Sequence, residues 1–283
     1  MEQFINWWQH LPEDIDPVFL QLGVVQIRYY GLMYLFSFLA VYALILYRLK
    51  NQEGPFTKKI IDDYTTWAII GVLLGARLGY AFFYNAAYFM IHPLEVFWPV
   101  QTIDGQAYFG ISGMSYHGGL IGGVAATMLF CRRHGLNGMK LIEFIVPAFP
   151  LGYTFGRLGN FLNGELYGRL TQKWWGMYFP YAPSYELRHP SQLYEAFFEG
   201  IVLFLILWPL RKKKLFDGAM FSIYIMGYGI VRFAIEFFRQ PDEHIGFVIQ
   251  ALSLGQLLCL VMIVFGIGFF ITTKNQAKVK NGP

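Results

Sequence analysis

The chain alternates long apolar runs with short polar connections, and this pattern limits the elements it can form. A helix needs about 20 consecutive apolar residues to cross the hydrocarbon core of a membrane. Seven runs approach this length, at 29–48, 64–84, 114–131, 140–158, 191–210, 217–238 and 248–272. The pattern therefore predicts an all-α polytopic membrane protein with seven transmembrane helices. The third and fourth runs are short or interrupted by Gly and Pro, which is typical of helices that line a polar cavity.

The composition agrees with this interpretation. The 283 residues are 55% hydrophobic and 14% charged, whereas soluble domains carry about 25% charged residues. A secretory signal begins with basic residues, but here no Lys or Arg precedes Arg28. The first apolar run is therefore expected to stay in the mature protein. No internal repeat is visible, and we interpret residues 1–283 as a single transmembrane domain.

Lys and Arg are unequally distributed between alternate connections. Fourteen of the 22 basic residues lie in 48–59, 131–140, 211–214 and the tail after 272, and six lie in the connections between these segments. Cytoplasmic connections are enriched in Lys and Arg, so the bias predicts an N-terminus on the outer (periplasmic) side and a cytoplasmic C-terminus. Residues 159–190, which are rich in Trp, Tyr and Pro, are then predicted to form a small cap on the outer surface.

With this orientation, six of the predicted spans bring polar side chains to the outer side of the membrane. These are Tyr29, Tyr30, Arg77, His117, Arg157, His189, Gln192, Glu195, Glu199, Arg232 and Glu236. Charged groups inside a membrane are costly and usually face a functional cavity. A single Arg near a helix end is also a common anchor to the headgroups, and Arg232 and Glu236 can neutralise each other at i,i+4. The number of such groups favours a cavity in the outer leaflet.

The segment GRLGNFLNGELYGR, residues 156–169, carries the densest polar chemistry. Arg157 and Asn160 are three residues apart and share one face if the segment is helical. An Arg guanidinium can hold a phosphate through two parallel hydrogen bonds, and nearby glycines let backbone N–H groups approach an anion. Asn163 and Glu165 are then expected to orient the Arg or the substrate. The alternative is an ordinary turn stabilised by Asn and Glu hydrogen bonds.

Two further segments add candidate groups. In SYHGGLIGG (115–123), His117 is a candidate general base or hydrogen-bond donor, because an unperturbed imidazole titrates near neutrality; a hydrogen-bonded histidine at a helix start is the alternative. In 227–243, one face of the predicted helix carries Tyr228, Arg232, Glu236 and Arg239. This face offers a second phosphate-binding arginine.

Metal and cofactor sites are not predicted. The two cysteines, Cys131 and Cys259, have neither CxxC nor Cys/His spacing, so they do not form a zinc motif. We predict no metal, no other cofactor and no nucleic-acid partner.

Together with RYYGLMY (28–34), GARLGY (75–80) and RHPSQLYE (188–195), these segments make the chain resemble the bacterial prolipoprotein diacylglyceryl transferases. Residues 156–168 match that family's signature, G-R-x-G-N-F-hydrophobic-N-x-E-x-x-G, at each specified position. The resemblance extends along essentially the whole chain.

The resemblance implies an activity and a location. It implies transfer of the diacylglyceryl group of phosphatidylglycerol to the lipobox cysteine of a prolipoprotein signal peptide, with a thioether formed and glycerol phosphate released. It places this reaction at the outer face of the bacterial cytoplasmic (inner) membrane.

The resemblance also implies residue roles. Arg157 and Arg232 resemble the essential phosphate-binding pair, and His117 resembles the residue proposed as base, although a hydrogen bond to the headgroup fits it equally well. Further substrate-site positions are Tyr30, Asn160, Glu165, Gly168, Glu236 and Arg239, with Arg77, Tyr80, Asn163, His189 and Tyr228 as additional candidates.

Other functions remain open from the residues alone. A transporter for a phosphorylated small molecule also suits arginines in a cavity, but the chain lacks the repeats and matched broken helices of many transporters. Another lipid-modifying enzyme, such as a headgroup transferase or an intramembrane protease, is a second alternative. A purely structural membrane protein leaves the intramembrane arginines unexplained.

Overall fold

The computed structural model describes residues 1–23, 25–97, 100–103, 106–109, 113–213, 215–240, 247–249 and 252–280. The described residues are mostly helical. The α-helices are α1 (Glu2–Asp14), α2 (Tyr29–Lys50), α3 (Lys58–Phe83), α4 (Ala86–Ile91), α5 (Tyr116–His134), α6 (Gly138–Ile145), α7 (Phe149–Leu162), α8 (Ser191–Tyr194), α9 (Leu203–Leu210), α10 (Ala219–Ile235) and α11 (Leu254–Lys280). Short 3₁₀ helices cover Pro93–Val96 and Val146–Ala148, and a π-helix covers Glu195–Val202.

Within the described residues, four helical stretches are long and apolar enough to cross a membrane. They are Tyr29–Lys50, Lys58–Phe83, Ser191–Leu210 and Leu254–Val279, and at most 33% of each apolar window is buried inside the protein. Apolar surface left uncovered by protein is what lipid-facing helices present. The prediction of a helical membrane protein is therefore confirmed. Helices also lie at the other three predicted positions, but the count of seven spans stays a prediction.

Several helix ends differ from the predicted spans. The sequence predicts that the seventh span begins at 248, but α11 begins at Leu254. Two short strands, β5 (Phe247–Ile249) and β6 (Leu252–Ser253), precede it. A capping box sets this start: Ser253 Oγ accepts from Gln256 N at 3.2 Å, and Gln256 Oε1 accepts from Ser253 N at 3.0 Å. Such reciprocal bonds satisfy backbone donors at a helix N-terminus, and hydropathy alone does not reveal them.

The second and fourth spans also differ. The second helix begins at Lys58, where the Thr57 side chain accepts from Ile60 N, rather than at 64. The fourth continues through Leu162 rather than ending at 158. The predicted cap, 159–190, therefore loses its first four residues, about one helical turn, to this helix.

The chain divides into two compact units. The first unit comprises Met1–Pro17, Arg28–Ile45 and Ile142–Pro283, and the second comprises Val18–Ile27 and Leu46–Leu141.

In the second unit, α3 and α5 pack closely through glycines. A Cβ at Gly75 would lie 2.4 Å from the Gly118 oxygen, and one at Gly122 would lie 2.1 Å from the Gly71 oxygen. Small residues let helix backbones approach in this way. The strands β1 (Val18–Leu22), β2 (Val25–Arg28), β3 (Val100–Ile103) and β4 (Gln106–Phe109) form a sheet of order β1-β2-β4-β3. In it, β2 and β4 are parallel, and β3 and β4 are antiparallel.

In the first unit, α7, α10 and the π-helix meet. Gly200 of the π-helix lies against Thr154, and a Cβ there would be 2.0 Å from Thr154 Oγ1. That hydroxyl donates to the Ala196 oxygen at 3.3 Å, so a neighbouring side chain supports the altered backbone bonding of the π-helix. π-Helical turns are often found at functional sites.

Residues 163–190 fold against α1. Trp8 Nε1 donates to the Trp175 oxygen at 2.9 Å, and Tyr178 N donates to the Gln9 oxygen at 2.8 Å. Beneath them, Phe161, Met177 and Phe179 form an apolar cluster. This segment therefore has its own small core, to which α1 contributes.

Candidate active site

A carboxylate lies between the two arginines that the sequence marked as a phosphate-binding pair. Glu195 Oε2 is 2.7 Å from Arg157 Nε, and Glu195 Oε1 is 2.8 Å from Arg232 Nη1. The Glu195 side chain is 1% exposed. The first unit thus brings α7, α10 and the start of the π-helix together around one buried charge cluster.

The 156–169 segment positions Arg157 as its spacing predicted. Arg157 Nη1 donates to Asn160 Oδ1 at 3.1 Å, one helical turn further along α7, and Asn160 Nδ2 donates to Glu165 Oε1 at 2.8 Å. The chain reverses after α7 because Gly164 has φ +67°, a conformation that glycine adopts readily. Glu165 therefore folds back onto Asn160, and Asn163 is the half-buried residue that ends the helix.

Arg232 is held on its other side by Glu236. Arg232 Nη2 lies 3.0 Å from Glu236 Oε2, and Ser253 Oγ donates to Glu236 Oε1 at 3.1 Å. Gly255, in the first turn of α11, leaves room for this carboxylate, since a Cβ there would be 2.7 Å from Glu236 Oε1. A helix N-terminus is a favourable place for a negative charge. The α10 pair predicted at i,i+4 is thus present and anchored to the next helix.

Tyr153 and Glu199 complete the cluster. Tyr153 Oη accepts from Arg157 Nε at 2.7 Å and donates to Glu199 Oε2. Glu199 Oε1 lies 3.6 Å from Arg232 Nη1. The Tyr228 ring packs edge-on against Tyr153, with centroids 5.8 Å apart, so this predicted residue supports the cluster through Tyr153.

Gly168 joins the cap to the end of α10. Its N–H donates to the His189 oxygen at 2.8 Å, and the next N–H, of Arg169, donates to the Phe238 oxygen at 2.8 Å. A Cβ at Gly168 would lie 2.4 Å from the Phe238 oxygen and 2.6 Å from the His189 oxygen. The position therefore requires glycine because two backbone segments press on it.

The end of α10 presents Arg239. Arg169 Nε donates to the Arg239 backbone oxygen at 2.8 Å, which fixes the main chain there. The Arg239 guanidinium is half-buried and makes no hydrogen bond or ion pair with the residues that the structure describes. It is a cationic group without a described partner beside the cluster.

With this geometry in place, residues 17–272 match the family described as prolipoprotein diacylglyceryl transferase. The chain belongs to this family. The resemblance predicted from the motifs is therefore confirmed.

Curated relatives cover nearly the full length of this family member. It is 52% identical to the phosphatidylglycerol–prolipoprotein diacylglyceryl transferase of Chlorobaculum tepidum over 98% of this chain and 96% of the relative. Proteins of the same name from Bordetella avium and Campylobacter curvus are 44% and 43% identical, over 93% and 97% of this chain and 97% and 100% of theirs.

His189 belongs to a hydrogen-bond chain at the cap of this transferase-family chain. Trp175 Nε1 donates to Tyr194 Oη at 2.9 Å, and Tyr194 Oη lies 3.0 Å from His189 Nδ1. Since the indole is only a donor, the phenol can give its proton to Nδ1, which leaves Nε2 protonated. Burial, with a smaller contribution from Lys173, lowers the pKa of His189, so the neutral imidazole is favoured at neutral pH.

Tyr30 contacts the signature helix from α2. Its hydroxyl shares a 3.1 Å hydrogen bond with that of Tyr34. A Cβ at Gly159 would lie 3.4 Å from the Tyr30 ring, so the glycine lets the ring approach α7.

Three predicted residues lie in the second unit. Arg77 of α3 donates to the backbone oxygens of Glu95 and Val96, and Tyr80 lies against Gly113. His117 is exposed in the first turn of α5, with its ring centroid 5.7 Å from that of Tyr116.

An apolar groove runs along the face of α7 in the first unit. Its volume is about 620 Å³. The lining residues are Leu11, Met33, Phe36, Phe155, Leu158, Phe161, Leu162 and Leu193. Phe155 and Leu158 flank Arg157 along the chain, so the groove and the charge cluster share one helix.

Sequence reasoning assigned no role to Glu195, Glu199 or Tyr153. The two acids were noticed only as members of the outer polar layer. Their i,i+4 spacing inside an apolar run was the signal for a shared role, and Tyr153 lies one turn before Arg157.

Proposed function

We propose that this chain transfers the diacylglyceryl group of phosphatidylglycerol to the thiol of a lipobox cysteine in a prolipoprotein signal peptide. The observation that carries the proposal is the convergence of two largely buried guanidiniums, Arg157 and Arg232, on one carboxylate. Paired arginines are well suited to a phosphate oxygen cluster. The names of relatives up to 52% identical give the substrates.

The chemistry requires a thiolate, because the thiolate rather than the thiol is the nucleophile. Its sulfur attacks the carbon of the diacylglyceryl group that is bonded to a phosphate oxygen, not the carbon of the headgroup glycerol. The new C–S bond forms as that C–O bond breaks, and the electron pair stays on the oxygen of the departing glycerol phosphate. Arg157 and Arg232 stabilise the charge that develops there.

The remaining residues have supporting roles. Asn160, Glu165 and Gly168 shape the arginine site, and Tyr30, Asn163, Glu236 and Arg239 complete the substrate-binding surface. Two roles remain for His117. It acts as the base for the thiol or as a hydrogen-bond donor to the lipid headgroup.

The apolar groove beside Arg157 is suited to an acyl chain of the lipid. Its lining offers only hydrocarbon and aromatic contacts, while the polar headgroup requires the charge cluster. One lipid molecule could then bind with its phosphate at the two arginines and one acyl chain in the groove.

The proposed topology has seven spans, an outer N-terminus, a cytoplasmic C-terminus and an active site facing the periplasm. Its support is the alternation of basic residues between connections and a helix at each predicted position. Labelling of Lys59→Cys and His92→Cys variants by an impermeant maleimide tests it, each variant having Cys131 and Cys259 replaced by Ser so that it carries a single cysteine. Only the 92 position is expected to react in intact spheroplasts.

The activity is tested with purified protein, phosphatidylglycerol and a lipobox peptide in detergent. We expect a peptide mass gain of one diacylglyceryl group, absent from a Cys→Ser peptide and from the Arg157→Ala variant. No gain, from folded protein that binds phosphatidylglycerol, would refute the transfer and favour a transporter, which a liposome flux assay would then examine.

A further inference from the structure

The charged groups of the cluster form ion pairs, but several of their donor and acceptor atoms lack a well-aligned hydrogen bond. Neither oxygen of Glu195 accepts a well-aligned hydrogen bond from the described residues, although Arg232 Nη1 lies 2.8 Å from Oε1. The single hydrogen of Arg157 Nε points to Tyr153 rather than to the carboxylate beside it. Glu195 is therefore held mainly by charge, and buried polar groups without hydrogen bonds are costly.

The cluster also contains as many carboxylates as guanidiniums. Glu195, Glu199 and Glu236 all lie within 4 Å of Arg232, and Glu195 also pairs with Arg157. Arg239 is the third guanidinium and acts electrostatically on Glu195. A phosphate that approaches the two arginines meets a cluster without surplus positive charge. The phosphate can form ion pairs with both guanidiniums only if a carboxylate of the cluster moves away from them.

Glu195 is the only one of the three carboxylates whose described ion pairs include both arginines. We propose that Glu195 is an internal competitor for the substrate phosphate: the phosphate displaces it from Arg157 and Arg232, and its return helps to expel glycerol phosphate. This inference rests on the proposed function, in which the two arginines bind the phosphate.

The cluster provides for the displaced carboxylate. Arg239 is near enough to act electrostatically on Glu195, and its guanidinium has no ion pair with the described residues. A buried carboxylate that loses its partners is strongly destabilising unless another cation compensates it. Arg157 Nη2 is also without a described partner, so it can meet an incoming phosphate before Glu195 leaves.

The test compares Glu195→Gln with a matched variant, Glu199→Gln. Both remove one buried carboxylate from the same helical stretch, but Glu199 is 3.6 Å from Arg232 and is bonded to Tyr153. Calorimetric titration of the full-length protein with glycerol phosphate gives Kd, and transfer assays give kcat and KM for phosphatidylglycerol.

We expect Glu195→Gln to bind glycerol phosphate about tenfold more tightly than the unmodified protein, since coupling between close charge pairs is of this size or larger. KM for phosphatidylglycerol and kcat should both fall, with a burst of lipidated peptide in the first turnover because product release becomes slow. Glu199→Gln should change Kd by less than about threefold, because Glu199 lies further from Arg232 than Glu195 does and has no described ion pair with Arg157.

Unchanged or weaker binding in Glu195→Gln, or equal tightening in Glu199→Gln, would overturn the inference and leave Glu195 as a residue that positions the arginines. If Glu195→Gln does not fold, Glu195→Asp replaces it. Its shorter carboxylate should still tighten binding, and weaker binding would overturn the inference. Absence of transfer by the unmodified protein would instead refute the proposed function, whatever the Kd values.

Discussion

Arg77 of the second unit is held in a different way from Arg157 and Arg232 of the first unit. In the second unit, Arg77 donates to three backbone oxygens: Nε to Val96 at 2.6 Å, Nη2 to Glu95 at 3.0 Å and Nη1 to Gly113 at 3.3 Å. Its guanidinium also lies 5.1 Å from the centre of the Phe89 ring. Arg77 therefore fastens main-chain segments that follow α3.

In the first unit, Arg157 and Arg232 are held by carboxylate side chains, above all Glu195. A backbone oxygen is neutral and fixed in its chain, whereas a carboxylate carries the same sign of charge as a phosphate and sits on a rotatable side chain. The comparison teaches that a buried arginine is suited to anion exchange when its partners are themselves anions. The outer polar layer predicted from the sequence contains both an arginine bonded to backbone oxygens, Arg77, and arginines paired with carboxylates, Arg157 and Arg232.

The largest expected effect is in the first unit. Arg157→Ala and Arg232→Ala should each lower transfer by about 10³-fold or more, because each removes donors aimed at the departing phosphate. Peptide mass spectrometry on equal amounts of folded protein measures the loss. Arg157→Lys is the matched control for charge, and it should also lose most activity because an ammonium lacks the planar fork.

Activity close to that of the unmodified protein in either alanine variant would remove that arginine from the phosphate site. A fully active Arg157→Lys would show that charge alone is sufficient there.

The second prediction could break the comparison, because it places chemistry in the second unit. If His117 is the base, His117→Gln should lower kcat by about 10²-fold at neutral pH. The deficit should shrink as pH rises toward the range in which free thiols ionise, near 8.5. A pH–rate profile between pH 6 and about 9 measures this.

A deficit that does not change with pH would assign His117 to headgroup binding. A matched Tyr116→Phe variant controls for general disturbance of the first turn of α5.

Sequence reasoning predicted those contacts of the charge cluster that depend on local spacing. Arg157 and Asn160, and Arg232 and Glu236, are neighbours along single helices, so their contacts follow from i,i+3 and i,i+4 geometry. The bridging role of Glu195 depends on the meeting of α7, α10 and the π-helix, and no local pattern encodes this meeting.

The same limit applies to the fold. Apolar runs located the helices because crossing a membrane requires uninterrupted apolar length. Hydropathy missed the start of α11 because Ser253 and Gln256 set it by hydrogen bonds. The partners of Arg77 lie 18 to 36 residues away in sequence, so the sequence could not separate an anchoring arginine from a substrate-binding one.

The third prediction concerns the junction between cap and site. Gly168→Ala should lower transfer by roughly tenfold, because two backbone oxygens within 2.6 Å of the new Cβ must move, and with them the end of α10. Gly156→Ala is the matched control, since a Cβ there meets nothing within 4 Å. A transfer assay with thermal unfolding of both variants measures the effect, and equal behaviour of the two would contradict it.

The smallest expected effect on chemistry is at Arg77. Arg77→Met keeps an apolar stem but leaves three backbone oxygens without their donor, so it should destabilise the protein by about 2 kcal/mol. Transfer per folded molecule should change by less than about threefold. Arg77→Lys retains a cation and some donors, so its thermal unfolding temperature should lie between those of the unmodified protein and Arg77→Met. If Arg77→Met instead unfolds normally but loses transfer, Arg77 acts on substrate, and its use would not differ from that of Arg157 and Arg232.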